Sequence, residues 1–178
     1  MKLGFQIKYY DHGPGGSLYT IRFEGEDETE LDKFLSNREI TRSYDFECLV
    51  SRVGDMVDNL GFKEEFFKPE GSILDSLTAF HYNNGPLRLF CLRWSSVLLI
   101  AGCGGIKTTR TYQEDSTLND IAEKLQIIDG LIASRQQSGE IVIDSTTGFI
   151  SGNLNFTSNR YDYDITAETN LSKNIPLY

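Results

Sequence analysis

The chain of 178 residues contains no apolar run approaching the ~18 residues that a membrane-spanning helix needs. Its opening stretch, MKLGFQIKYYDHGPGG, lacks the apolar core and small-residue cleavage site of an export signal, so a cytoplasmic location is expected. Cysteine is scarce. Cys48, Cys91 and Cys103 are odd in number and widely spaced, which fits neither a disulfide framework nor a zinc site, and they read as reduced core thiols. The two histidines, His12 and His81, form no HExxH pattern, and there is no Asp-rich calcium loop and no Gly-x-Ser-x-Gly elbow. These absences argue against a metalloenzyme or a Ser/Cys hydrolase, and neither a cofactor nor a metal is expected.

What is present is a folding chain, 39% hydrophobic and 12% aromatic, with a net charge of −9. That charge as a whole opposes nonspecific nucleic-acid binding. Its distribution is uneven: residues 76–113 hold no acid at all and four bases, Arg88, Arg93, Lys107 and Arg110. Burial of an apolar hairpin accounts for part of the missing acid, but it does not account for keeping four cations there.

Alternating Leu3, Phe5, Ile7, Tyr9 and then Tyr19, Ile21, Phe23, separated by a Gly- and Pro-rich loop, predict an opening β-hairpin. Leu31, Phe34 and Leu35 behind an acidic run predict a short helix. Apolar positions three and four apart predict a longer one from Tyr44 to Leu60, closed by Gly61. Ile73 to Phe80 is apolar but of undecided type. PLRLFCLRW and VLLIAGCGG, joined at Ser95-Ser96, predict two adjacent antiparallel strands buried on both faces, and Ile106 to Tyr112 reads as a further strand or the lead-in to a helix. Thr117 to Asp120 carries a capping-box pattern ahead of a long amphipathic stripe that ends before Gly139. A last strand is expected over Glu140 to Asp144, and the Thr-, Asn- and Gly-rich chain from Ser145 onward reads as a loosely structured tail. The expected fold class is α+β, an antiparallel sheet with helices packed on one face. A single domain would span residues 1–139, with the C-terminal strand and tail over 140–178.

Gly102 to Thr109 superficially resembles a phosphate loop, but Ile106 stands where a P-loop needs glycine, and no good helix begins at Lys107. The cationic hairpin is the stronger candidate. A tight turn at Ser95-Ser96 would set Arg93 opposite Leu98 and Arg88 opposite Cys103. Arg88 and Arg93, five residues apart, would then point to opposite faces roughly 17 Å apart. Arg88, Lys107, Arg110, Tyr112 and His81 could gather at the open end. Such a group suits a phosphodiester: cations bind phosphate and stabilise a phosphorane, and Tyr or His transfers the proton of a 2′-OH. Alternatively, the arginines pair with the chain's many acids and Tyr112 is a rim aromatic.

The order of elements, with Pro86-Leu-Arg88-Leu-Phe and the stretch Ser96 to Tyr112 ending Gly105-x-Lys107-x-x-Arg110-x-Tyr112, resembles the RelE/HigB superfamily of bacterial toxins over roughly residues 44–131. That resemblance implies a RelE-like core extended by an N-terminal hairpin and a C-terminal segment. It implies a ribosome-dependent, metal-independent mRNA endoribonuclease, or a degenerate relative, paired with a helix-turn-helix antitoxin. By it Arg88 and Arg110 would contact RNA phosphate, Lys107 would stabilise charge and Tyr112 would be the acid/base group. His81, a further catalytic candidate, rests on its place at the open end of the hairpin and not on the resemblance. This chain is longer than those toxins and acidic. The alternative is a non-catalytic module that docks a basic, DNA-binding protein partner.

Overall fold

The computed structural model describes residues 3–70 and 76–158. The opening hairpin is present as β1 (Phe5–Gly13) and β2 (Gly16–Phe23). Three helices follow, α1 (Glu30–Ser36), α2 (Arg38–Thr41) and α3 (Phe46–Asp55), the last continuing into a π-helical turn, Met56–Leu60, closed by Gly61. Next come β3 (Phe67–Pro69), β4 (Leu77–Phe80), β5 (Leu87–Ser95) and β6 (Leu98–Ile106). The long helix α4 (Ser116–Ser138) leads to β7 (Ile141–Ile143), β8 (Ile150–Gly152) and β9 (Asn155–Phe156). The fold class is α+β. Among the described residues no helix is long and apolar enough to cross a membrane.

Local signals set the helix ends. Thr29 and Asp32 form a reciprocal capping box at α1. At α4 the cap lies two residues ahead of the expected Thr117: the Asp115 carboxylate accepts from the amides of Thr117 (2.9 Å) and Leu118 (3.0 Å), leaving Thr117 inside the first turn. Gly139, at φ 80°, takes the left-handed position that ends α4. Ile106 to Tyr112 holds no further strand: β6 ends at Ile106 and a short 3-10 turn begins at Tyr112.

The main sheet runs β3-β4-β5-β6-β2-β1-β9, and β7 and β8 pair separately. Two expectations are corrected here. The sheet is mixed rather than antiparallel, because β2 and β6 pair in parallel while the other neighbours are antiparallel. Helices cover both faces rather than one. α4 packs on Phe90, Leu92, Leu98 and Ile100, and α1–α3 pack on Leu89, Cys91, Leu99 and Ala101. The reason is visible in β5 and β6, which are apolar at both parities and therefore need a layer on each side.

The tight turn of the central hairpin is Ser96-Val97, not Ser95-Ser96. An extra residue at Trp94 in β5 and another within Gly102-Cys103 of β6 shift the pairing to Arg93↔Leu99 and Arg88↔Gly105.

The chain just after β7 also differs from expectation. Residues 145–157 are not a loose tail. The Ile150 amide donates to the Tyr19 hydroxyl (2.9 Å), β9 pairs with β1, and the Phe156 ring stacks on Phe5 with centroids 4.3 Å apart. The Arg135 guanidinium lies 3.6 Å from the centroid of Phe156 and its Nη1 donates to the carbonyls of Asn153 and Asn155. The remainder of the expected tail, residues 159–178, and residues 73–75 of the undecided apolar piece lie outside the described residues.

The three thiols are not equivalent. Cys91 is buried in the core, where burial pushes its thiol pKa well above the ordinary 9.0, and Cys103 is half-buried with its pKa raised for the same reason. Cys48 is exposed on α3, which corrects its reading as a core residue. Titration of the native protein with Ellman's reagent is expected to show one fast thiol, with Cys91 reacting only on unfolding. Retention of the fast phase in Cys48→Ser would contradict this assignment.

Candidate functional site

β4, β5 and β6 are aligned so that His81, just past Phe80, Arg88 near the start of β5 and Lys107, just past Ile106, come to the same end of the sheet. The Lys107 amide donates to the Pro86 carbonyl (2.8 Å), which fixes the chain where it leaves β6. The short edge strand β3 adds Lys68, and the chain beyond it adds Glu70, whose carboxylate lies 3.9 Å from the Lys68 ammonium. Alternation separates Arg93 from this group, as expected: its Nε donates to the Phe62 carbonyl (2.6 Å) on the α1–α3 side, and Nη1 lies 3.7 Å from Glu64.

The electrostatics show how closely the group is gathered. Burial first, and then the charges of Arg88, Lys68 and Lys107, hold the His81 imidazole below its ordinary pKa of 6.5. Its Nδ1 is buried and has no hydrogen-bond partner among the described residues. Glu70 is the counter-charge. Burial raises its pKa, opposed by the same cations, Lys68, Lys107 and Arg88. Burial lowers the pKa of Arg88, which still remains protonated at any physiological pH. The Nη1 of Arg88 donates to the carbonyls of Gly85 (2.5 Å) and Leu87 (2.9 Å), leaving the donors of Nε and Nη2 for other partners.

The remaining sequence candidates are placed differently. Tyr112 is buried, edge-on to Phe90, and its hydroxyl donates to the Glu70 carbonyl (2.9 Å). It acts as a pin between the α4 lead-in and the end of β3, not as a solvent-facing phenol. Arg110 is exposed on the loop after β6 and makes no hydrogen bond or ion pair among the described residues. His81, Arg88 and Lys107 are thus together, Tyr112 adjoins them through the backbone of Glu70, and Arg110 stands apart.

Beside this group, an open cleft of about 460 Å³ is lined by His81 and Lys68 and by Arg52, Phe66, Tyr82 and Asn83. The Arg52 guanidinium lies 5.5 Å from the ring centroids of both Phe66 and Tyr82. Sequence reasoning missed Lys68, Glu70, Arg52, Phe66 and Tyr82, since no local pattern ties them together. The one available signal was Asn83-Asn84-Gly85, a left-handed turn in which Asn83 and Asn84 have φ of 46° and 56°. Reading that turn as a hairpin would have brought Phe80, and with it β3, next to β5. Among the described residues no group of three His, Cys, Asp or Glu side chains is placed to hold a metal ion.

No protein-family model, no curated protein and no solved structure matches the chain.

Proposed function

We propose that the basic end of the sheet binds the phosphodiester backbone of single-stranded RNA, and that the protein is a RelE/HigB-type, metal-independent endoribonuclease acting on mRNA at the ribosome under the control of a helix-turn-helix antitoxin. One observation carries the reading: a neutral histidine that lines an open cleft stands among three cations, Lys68, Arg88 and Lys107. A neutral imidazole offers one ring nitrogen as a proton acceptor. A ribose 2′-OH is a suitable donor, and a bridging phosphate is a suitable occupant for the surrounding charge.

In this mechanism Lys107 and the free donors of Arg88 hold the non-bridging oxygens and stabilise the phosphorane. His81 accepts the proton of the 2′-OH, whose oxygen forms the new bond to phosphorus. The P–O5′ bond breaks, the leaving oxygen takes a proton from solvent, and a 2′,3′-cyclic phosphate remains. Proton transfer belongs to His81 rather than Tyr112, because the Tyr112 hydroxyl is spent on the Glu70 carbonyl. The Arg52–Phe66–Tyr82 cleft supplies faces on which neighbouring bases stack. The overall charge of −9 does not prevent this, since at physiological salt fields are screened over about 8 Å and the local cations dominate.

The test is binding of a 15-nucleotide single-stranded RNA, followed by fluorescence anisotropy across a salt series. Lys68→Ala and Lys107→Ala are each expected to lower the slope of log K against log salt by about 0.7. Wild-type protein with ribosomes and mRNA is expected to yield 2′,3′-cyclic phosphate ends. RNA binding that is absent, or that is unchanged in the double variant, overturns the proposal.

A further inference from the structure

A second feature lies under α1 and α3, on the same side of the sheet as the Arg52 cleft but with a separate lining, and does not depend on the phosphodiester reading. Between the β1–β2 hairpin, α1 and α3 is a cavity of about 130 Å³ with an almost wholly apolar floor that includes Leu18, Phe34, Leu49 and Val53. Two local irregularities keep it open. β1 carries one extra residue at Tyr10, so that Tyr9 pairs with Tyr19 and Asp11 pairs with Leu18. In a regular strand Tyr10 and Asp11 would point to opposite faces; the bulge lets both line this one cavity. The second irregularity is Gly54, at the junction of α3 with the π-helical turn. A Cβ there would meet nothing within 4 Å, so packing does not require glycine, and its effect is to leave the rim low.

The mouth is acidic. Asp11 and Asp32 both act on the Tyr10 hydroxyl and, together with burial as the largest cause, raise its pKa above 10.0. Lys33, the cation of α1, is already paired with Glu26 and Glu30. The volume falls well short of the roughly 300–1,000 Å³ of pockets that enclose a whole small molecule, and is close to that of one apolar side chain.

We propose that this cavity is the anchor point for a basic segment of a partner protein, one aliphatic residue of which enters the apolar floor while its flanking Lys or Arg residues meet Asp11 and Asp32. The aromatic face of Tyr10 lies at the same mouth and suits a cationic neighbour. Electrostatic complementarity of this kind sets partner choice and encounter rate, while the anchor supplies the hold.

The probes are three blocked peptides, KKLKK, KKSKK and EELEE, titrated into the full 178-residue chain labelled with ¹⁵N. KKLKK is expected to move the amides of Tyr10, Val50 and Gly54 saturably, leaving those of His81 and Lys107 still, and the other two peptides are expected to move none of them. Gly54→Phe is expected to abolish the shifts and Gly54→Ala to retain them. The Asp11→Asn/Asp32→Asn variant, which alters no core packing, is expected to weaken KKLKK roughly fivefold. Equal response to KKSKK or EELEE, or shifts that bypass the cavity, overturns the proposal. A dimer that Gly54→Phe dissociates, with no peptide response, would also overturn it and assign the cavity to a second copy of the chain.

Discussion

Replacing His81 by alanine is expected to slow RNA cleavage by about 10²- to 10⁴-fold, the usual contribution of a positioned general base, while leaving the RNA dissociation constant nearly unchanged. The cations that bind phosphate are retained in this variant, so loss of rate without loss of binding separates proton transfer from electrostatic capture. The pH dependence gives a second readout with a fixed sign. His81 acts in its neutral form, and burial together with Arg88, Lys68 and Lys107 lowers its pKa from 6.5. The rate is therefore expected to rise with pH through a midpoint below 6.5 and to be level at neutrality. Removing one of those cations, as in Lys68→Ala, relieves part of the repulsion and moves the midpoint upward toward 6.5. A pH–rate profile of wild-type protein and Lys68→Ala under single-turnover conditions measures both. Full activity in His81→Ala, or a midpoint that Lys68→Ala moves downward, rules His81 out as the base.

Phe156→Ala is expected to destabilise the protein by about 3–5 kcal/mol, the range for removing a fully buried aromatic ring. Phe156 is 2% exposed, fills the space beside Phe5, and forms the surface on which the buried Arg135 guanidinium lies. Truncating it leaves a cavity and also strips a buried cation of its ring neighbour. For a chain of this size that corresponds to a Tm lower by roughly 10 °C or more. Phe156→Leu keeps most of the volume and is expected to lose much less. Thermal or urea unfolding followed by circular dichroism gives the comparison. A change below about 1 kcal/mol for the alanine variant would mean that β9 is peripheral to the fold.

These two residues mark where sequence reasoning succeeds and where it stops. The Leu118–Ile132 stripe and the paired apolar runs around Ser96 carry strong periodicity, so α4 and the central hairpin were legible. β9 is two residues long, and no periodic pattern can be read from Asn155-Phe156. The parallel join of β2 to β6 is equally silent, because each strand already has a local hairpin partner and nothing nearby encodes a third neighbour. The two covered faces were implied by the unbroken apolar run of β5, but the element order drew the expectation toward one. At the site, Arg88 and Lys107 were brought close by a hairpin that the sequence announces. Lys68 and Glu70 arrive through β3, which the Lys68-Pro69-Glu70-Gly71 breaker disguised as a loop. Tyr112 has the right spacing and the wrong surroundings: only the structure places its hydroxyl against the Glu70 backbone.

The parallel pairing of β2 with β6 also constrains how the chain reaches its native state. The buried Thr20 hydroxyl donates to the Ala101 carbonyl across a sequence separation of 81 residues. Each hairpin, β1–β2 and β5–β6, can form from neighbouring sequence within microseconds. Their union must wait for that long loop to close and for α1 to α3 to be accommodated within it. Closing it carries a modest entropic cost that grows only with the logarithm of loop length, but such distant contacts slow the search. During synthesis the N-terminal hairpin must therefore stand without its β6 neighbour until the chain beyond Ala101 has emerged, with the β2 edge unpaired in the meantime. That interval, rather than any weakness of the finished sheet, is where this protein is most exposed to mispairing with another chain.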